Sequence, residues 1–253
     1  MIPLKMNDQP AEKPVRTDGK LLDVHSVFLT IQGEGPFSGH PSVFVRLAGC
    51  NLQCKYCDTE YTAGRGGMLV EEIVAKVREL SVRPLGVTPT IKVPVYGLRT
   101  DLVVLTGGEP FRQSIGPLTK ELLAAGYRVQ VETNGTLFLS DFPWGEPGVT
   151  IVCSPKTHIN KQLKPRIDHL KYVVDHRHVD PGFGLPTLAL GTSKPEFAGL
   201  PKDTGLKADS VWLSPMDTGD EEENRKNVEA CVRSALDNGY RVSLQIHKLM
   251  GVP

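Results

Sequence analysis

Short β-branched apolar runs that alternate with helical patterns constrain this chain most. Candidate strands fall at 24–31, 43–47, 102–105, 129–131, 149–152, 172–174, 211–213 and 242–246, set off by turn residues. Between them Val70, Ile73, Val74, Val77 and Leu80 recur at helical spacing, as do Val228, Cys231, Val232, Ala235 and Leu236, each set forming one apolar stripe. Strands alternating with helices predict parallel βαβ units and an α/β fold. Most of the strands are unbroken apolar runs, as a sheet covered on both faces requires. About six such units are too few to close an eight-fold barrel. The expected architecture is therefore an open, partial barrel of (β/α)6 type with insertions.

The chain has 253 residues, 40% of them hydrophobic, enough for one sizeable core. One domain is expected over 21–253. Residues 1–20 are polar, carry three prolines and show no apolar period, which reads as a flexible N-terminal extension. The stretches 81–100 and 181–209 are rich in proline or glycine without a period and read as insertions. Lys plus Arg and Asp plus Glu both number 29, so no net field draws the chain to nucleic acid or an anionic membrane. A small, locally read substrate fits better. No apolar run reaches the roughly 18 residues of a membrane span, and the N-terminus lacks the pattern of a signal peptide. A cytoplasmic protein is expected.

Polar and glycine-rich segments follow the strands: Thr106-Gly107-Gly108-Glu109-Pro110, Glu132-Thr133-Asn134-Gly135, Ser154-Pro155-Lys156 and Ser214-Pro215-Met216-Asp217. They fall at carboxyl strand ends, where α/β sheets keep their chemistry. Five cysteines are an odd number, and Cys50, Cys54 and Cys57 lie within eight positions, which suits metal or cluster ligation in a reducing compartment. They sit in a loop directly after the strand at 43–47, where Gly49 lets the backbone turn sharply. A four-iron cluster needs four ligands. Three are offered here, which leaves one iron open to a non-protein ligand. Cys153 and Cys231 sit alone in apolar contexts and read as buried thiols.

The C-x3-C-x2-C spacing, with Tyr56 just before the last cysteine, resembles the signature of the radical S-adenosylmethionine superfamily. The turn Gly107-Gly108-Glu109-Pro110 resembles its second motif. The resemblance implies a 4Fe-4S cluster on Cys50, Cys54 and Cys57, with S-adenosylmethionine on the open iron and its amino group held by Gly107, Gly108 and Glu109. It further implies Tyr56 near the adenine, Cys57 and Asp58 beside it, and Glu132, Asn134, Ser154, Pro155 and Lys156 around the ribose and carboxylate. Met216 and Asp217 join the same site.

Three more segments narrow the reaction: Ile31-Gln32-Gly33-Glu34-Gly35, Phe44 to Gly49 around Arg46, and Gln245 to Pro253 around His247. With Cys57-Asp58-Thr59, they resemble the 7-carboxy-7-deazaguanine synthase family, in order from about Asp23 onward. That resemblance implies conversion of 6-carboxy-5,6,7,8-tetrahydropterin to 7-carboxy-7-deazaguanine with loss of ammonia, in queuosine precursor biosynthesis. Arg46 would bind the substrate carboxylate, while Ile31, Gln32, Gly33, Glu34, Thr106 and His247 would read the ring. The terminal carboxylate of Pro253 would face the ring N–H edge. Thr59 would be the protein ligand of Mg2+, with Asp58 a supporting carboxylate. Also implied are a homodimer paired through edge strands and an electron donor such as a flavodoxin or ferredoxin. At this point two other readings stay open: a glycyl-radical-enzyme activase of the same superfamily, and a non-catalytic iron-sulfur or zinc module.

Overall fold

The structure is a computed structural model, and it describes residues 7–87, 94–189 and 201–252. In chain order the strands are β1 (Leu21–Ile31), β2 (Pro41–Leu47), β3 (Gly66–Leu69), β4 (Val82–Val87), β5 (Pro94–Leu98), β6 (Leu102–Gly107), β7 (Arg128–Thr133), β8 (Val149–Cys153), β9 (His169–Val174), β10 (Val211–Pro215) and β11 (Arg241–Val242). The helices are α1 (Val70–Ser81), α2 (Gly116–Ala124), α3 (Glu221–Asn238) and α4 (Ile246–Met250). Nine strands form one sheet in the order β11-β10-β9-β8-β7-β6-β2-β1-β3. From β2 to β11 neighbouring strands run parallel, whereas β1 is antiparallel to both β2 and β3.

The sequence explains the layering. Leu102, Val103, Val104 and Leu105 of β6 are all fully buried, so the central strand is covered on both faces, as its unbroken apolar run requires. Helix α1 buries Val70, Ile73 and Val77 in the common core, and Glu72 accepts from the Leu69 N–H at 2.8 Å to close its first turn. Asp220 caps α3 by accepting from the N–H groups of Glu222 and Glu223 at 3.0 Å, which satisfies donors that the helix cannot. Among the described residues no helix is long and apolar enough to cross a membrane.

Two expectations about the sheet need correction. The regular strand-helix alternation of a (β/α)6 unit fails between β7 and β8, where the connection holds only turns, and between β8 and β9, where it holds a 3-10 turn over Lys164–Arg166. Aromatic side chains replace a helix there: Phe138 stacks on Trp144 at 5.1 Å, and Phe142 and Phe111 pack around the same indole. The last expected strand, 242–246, pairs only through Arg241 and Val242. At the sheet edge it has no second neighbour among the described residues, and the chain turns instead into α4, so His247 lies on a helix. The stretch 81–100 holds the antiparallel pair β4 and β5, hidden in the sequence by prolines that break its pattern. The stretch 181–209 lies partly outside the described residues; its described part includes a 3-10 turn over Pro201–Asp203.

The N-terminal expectation also meets a different picture. Residues 7–17 run across the cysteine-bearing loop, with the Glu12 N–H on the Cys50 carbonyl at 2.6 Å and the Val15 N–H on the Arg112 carbonyl at 2.7 Å. They have no apolar period because polar side chains and backbone anchor them.

Candidate active site

Because β2 and β6 through β10 are parallel, their carboxyl ends share one edge of the sheet, and each feeds a polar segment into the same place. Strand β2 leads through Gly49 into the loop bearing Cys50, Cys54 and Cys57. Cys50 and Cys54 are buried and Cys57 is partly exposed, and all three are free thiols. Burial pushes the Cys50 thiol up to about 12 and raises those of Cys54 and Cys57. Among the described residues no group of three or more His, Cys, Asp or Glu side chains is set to hold a single metal ion. A four-iron cluster asks for something else, each thiolate on its own iron, and an all-sulfur donor set on one loop fits that group.

The glycine turn after β6 lies against this loop. A Cβ on Gly108 would come within 2.1 Å of the Gly49 carbonyl oxygen, so only glycine permits the approach. Gly108→Ala is expected to cost about 1–3 kcal/mol through this backbone clash. Thermal denaturation beside the wild type checks it, and an unchanged midpoint refutes the close contact.

Glu109, expected to meet an amino group, also makes bonds within the protein. Its carboxylate is fully buried. One oxygen accepts from the Phe111 N–H at 3.0 Å and the Thr133 hydroxyl at 2.7 Å, and the other accepts from the Asn134 N–H at 2.7 Å. Burial pushes it up to about 7. Glu109 therefore clamps the glycine turn to the end of β7, and its second oxygen, which accepts one bond, keeps an acceptor site in reserve. Asn134 extends the clamp: its amide donates to Asn51 Oδ1 at 3.0 Å and lies 3.9 Å from Cys50 Sγ.

The cleft has two adjoining lobes. Tyr56, Cys57, Gly107, Gly108, Asn134, Ser154, Lys156, Met216 and Asp217 line the first, and Ile31, Gln32, Gly33, Arg46, His247 and Lys248 line the second. Glu34, Asp58, Thr59, Thr106, Glu132 and Gln245 face both. Cys50, Cys54 and Glu109 lie beneath the first lobe, and Pro155 is buried between Ser154 and Lys156. Pro253 lies outside the described residues.

Charge is paired closely here. Lys171 Nζ meets Glu34 at 2.7 Å and Glu132 at 3.1 Å, with only 7% of the lysine side chain exposed. Burial works to lower the lysine, but Glu132 and Glu34 outweigh it and hold it protonated well above its ordinary range. Burial likewise opposes ionisation of Glu34, yet Lys171 keeps that carboxyl below its usual value. Gln32 donates to Glu132 at 2.9 Å, as does Gln130 at 2.7 Å. At the mouth Lys248 reaches Asp58 and Asp217, both at 3.2 Å. Among the described residues two buried groups of the second lobe, Arg46 Nε and His247 Nδ1, have no hydrogen-bond partner. Burial lowers His247 below the ordinary histidine value and favours its neutral ring. His247 sits against Gly33, where a Cβ would come within 1.7 Å of Nδ1.

Sequence reading missed Lys171, Gln245 and Lys248. A signal existed for Lys171: a charged residue in mid-strand, flanked by the apolar Leu170 and Tyr172. Gln245 and Lys248 fall within the terminal segment singled out above, but their places at the cleft depend on α4.

Fold and site together define an α/β protein with one polar, two-lobed cleft at its carboxyl strand ends and a cysteine-bearing loop beneath it. No family model matches the sequence. The chain is 44% identical over 252 residues to the 7-carboxy-7-deazaguanine synthase of Rhodospirillum rubrum, covering 96% of this chain and 97% of that one. It is 38% identical over 251 residues to the 7-carboxy-7-deazaguanine synthase of Rickettsia prowazekii, covering 96% and 94%. The crystal structure of QueE from Escherichia coli superposes with a TM-score of 0.59 at 21% identity, over 88% of this chain and 93% of that one. The chain belongs to the 7-carboxy-7-deazaguanine synthase family.

Proposed function

We propose that this protein is a radical S-adenosylmethionine lyase that converts 6-carboxy-5,6,7,8-tetrahydropterin to 7-carboxy-7-deazaguanine with loss of ammonia, a step of queuosine precursor biosynthesis. The observation that carries the reading is the two-lobed cleft, whose lobes share Glu34, Asp58, Thr59, Thr106, Glu132 and Gln245. One lobe borders the cysteine loop and the glycine turn. The other offers a cation and a neutral imidazole with unused hydrogen-bonding capacity. A cofactor and a small anionic ring can thus lie side by side.

The sheet is read as the partial, open barrel of the superfamily, with turns in place of the helices after β7 and β8. Cys50, Cys54 and Cys57 would hold the 4Fe-4S cluster, which with S-adenosylmethionine supplies one-electron cleavage and a hydrogen-abstracting radical. Gly107 and Gly108 present an unshielded backbone edge to the amino group of the cofactor. Tyr56, Asp58, Glu132, Asn134, Ser154, Lys156, Met216 and Asp217 surround the rest of it. In the second lobe Arg46 pairs with the substrate carboxylate, while Gln32, Glu34, Thr106 and His247 read the ring. Lys171 pairs with Glu34 and Glu132 and holds both carboxylates in place at the cleft. An external donor of the flavodoxin or ferredoxin kind and a homodimer belong to the same proposal.

Anaerobic incubation with S-adenosylmethionine, dithionite and the tetrahydropterin, with products identified by mass, tests the reaction. Hydrogen abstraction from a partner glycine in place of pterin turnover would favour an activase, and zinc without sulfide would end the enzyme reading. Thr59, whose hydroxyl is 3.4 Å from Asp58 Oδ1, would hold Mg2+ with waters and substrate oxygens. Thr59→Ala is expected to raise the Mg2+ needed for half-maximal turnover about tenfold, with S-adenosylmethionine binding retained. A superimposable Mg2+ titration removes Thr59 from the site.

A further inference from the structure

The cysteine-bearing loop has almost no scaffold of its own. Between Cys50 and Tyr61 there is no helix or strand pairing beyond one isolated bridge, Ala11 to Cys50. Within the loop, the Cys57 N–H donates to the Cys54 carbonyl at 3.2 Å, and the Gly49 N–H reaches the Tyr61 carbonyl at 2.9 Å. An irregular loop with unpaired backbone groups opens readily. Something else must hold three thiolates in register.

Residues 7–12 do so. The Asn7 N–H donates to the Lys55 carbonyl at 2.9 Å, and the Asn7 amide donates to the Cys54 carbonyl at 3.0 Å. Gln9 is bidentate: its Nε2 donates to the Thr59 carbonyl at 2.9 Å, and its Oε1 accepts from the Tyr61 N–H at 2.8 Å. The two side chains also brace each other, Gln9 Nε2 lying 3.0 Å from Asn7 Oδ1. Further along, Glu12 meets buried Arg112 at 3.1 Å and Arg65 at 2.5 Å. Arg112 in turn donates to the carbonyls of Lys13 and Ala48. The segment is thus fastened at one end through Arg112, in the 3-10 turn Pro110–Arg112 after β6, and along its length to the carbonyls of Cys50, Cys54, Lys55 and Thr59.

We infer that this N-terminal segment is a strap that orders the cysteine loop for its cluster, with Asn7 and Gln9 as positioning residues. The inference rests on reading Cys50, Cys54 and Cys57 as cluster ligands. Neither side chain lines the cleft lobes, so their effect passes through the loop, by its backbone and by the hydroxyls of Tyr61 and Thr62. A carbonyl that loses its donor frees the loop to open, and a thiolate that swings away exposes its iron to solvent.

The test uses the full chain, reconstituted anaerobically, as wild type, as the double variant Asn7→Ala/Gln9→Ala and as Gln9→Glu. The glutamate keeps the acceptor for Tyr61 but cannot donate to Thr59. The readouts are iron and sulfide content, the rate of iron release to a chelator, the paramagnetic resonance spectrum of the reduced cluster, and the unfolding midpoint of the cluster-free chain. Expected are iron release about tenfold faster in the double variant, an altered spectrum, a smaller change in the same direction for Gln9→Glu, and an unchanged midpoint. Wild-type release and spectrum in both variants would overturn the inference. So would a lowered midpoint with wild-type release, since the strap would then serve stability alone. If the double variant does not fold, Gln9→Glu decides by the same two readouts. A wild-type chain that takes up neither iron nor sulfide defeats the ligand reading itself, and the strap inference falls with it.

Discussion

Cys54→Ala is expected to remove iron, sulfide and turnover together, to background, while the chain stays folded. The reason is location: Cys54 lies on a loop at the sheet edge and is absent from the common apolar core, whereas Cys153 belongs to it. Cluster ligation by thiolate is lost outright with the sulfur. Cys50→Ala and Cys57→Ala should behave alike, and Cys153→Ser should keep its cluster at some cost in packing. Metal and sulfide assays after anaerobic reconstitution, with circular dichroism as the fold control, decide it. Retention of the cluster in Cys54→Ala with its loss in Cys153→Ser would overturn the ligand set.

Lys171→Met carries the second large effect. Removing the ammonium leaves Glu34 and Glu132 facing one another with no cation between them, in a place where the lysine is 7%, Glu34 15% and Glu132 18% exposed at the side chain. Breaking a buried ion pair by deleting one partner costs about 3–5 kcal/mol, far more than the pair contributes when both partners are replaced together. Urea denaturation should therefore show a large loss for Lys171→Met and a partial recovery in the triple variant Glu34→Gln/Lys171→Met/Glu132→Gln. A loss under about 1 kcal/mol would mean that water screens the triad. The sign with pH follows from Glu34, whose carboxyl is held below its usual value by Lys171. Its contribution is present above the unfolded carboxyl value of about 4.3 and disappears as pH falls through the folded one. The gap between wild type and Lys171→Met should narrow in acid.

Much of the sheet was legible because its strands carry their own signal. The apolar run of β6 announces a doubly covered strand, and the Val70, Ile73, Val77 stripe announces α1. Helix α2 was not read: it is nine residues long and begins with Gly-Pro, so its period is too short to stand out. β3 has two glycines in four residues and pairs only because β1 lies beside it. The cleft residues were legible as motifs at strand ends, but which atoms face the cleft depends on packing. Glu109 stands in the same motif as Gly107 and Gly108, yet three donors from Phe111, Thr133 and Asn134 draw its carboxylate inward. The strap escaped notice because polar residues that pair with a distant loop leave no periodic trace.

The β4 and β5 pair bears on how this fold can change without losing its chemistry. The two strands bond only to each other among the described residues, outside the nine-stranded sheet. Their base is fastened where the Arg99 N–H meets the Ser81 carbonyl at 2.7 Å and the Thr100 hydroxyl meets the Pro41 carbonyl. Pro41 opens β2, so that fastening lies at the amino edge of the sheet, opposite the cleft. With its base already closed, the excursion can lengthen for only about 0.6 kcal/mol per doubling. The β4 and β5 pair is the natural place for grafting a tag, a reporter or a binding module away from the cleft.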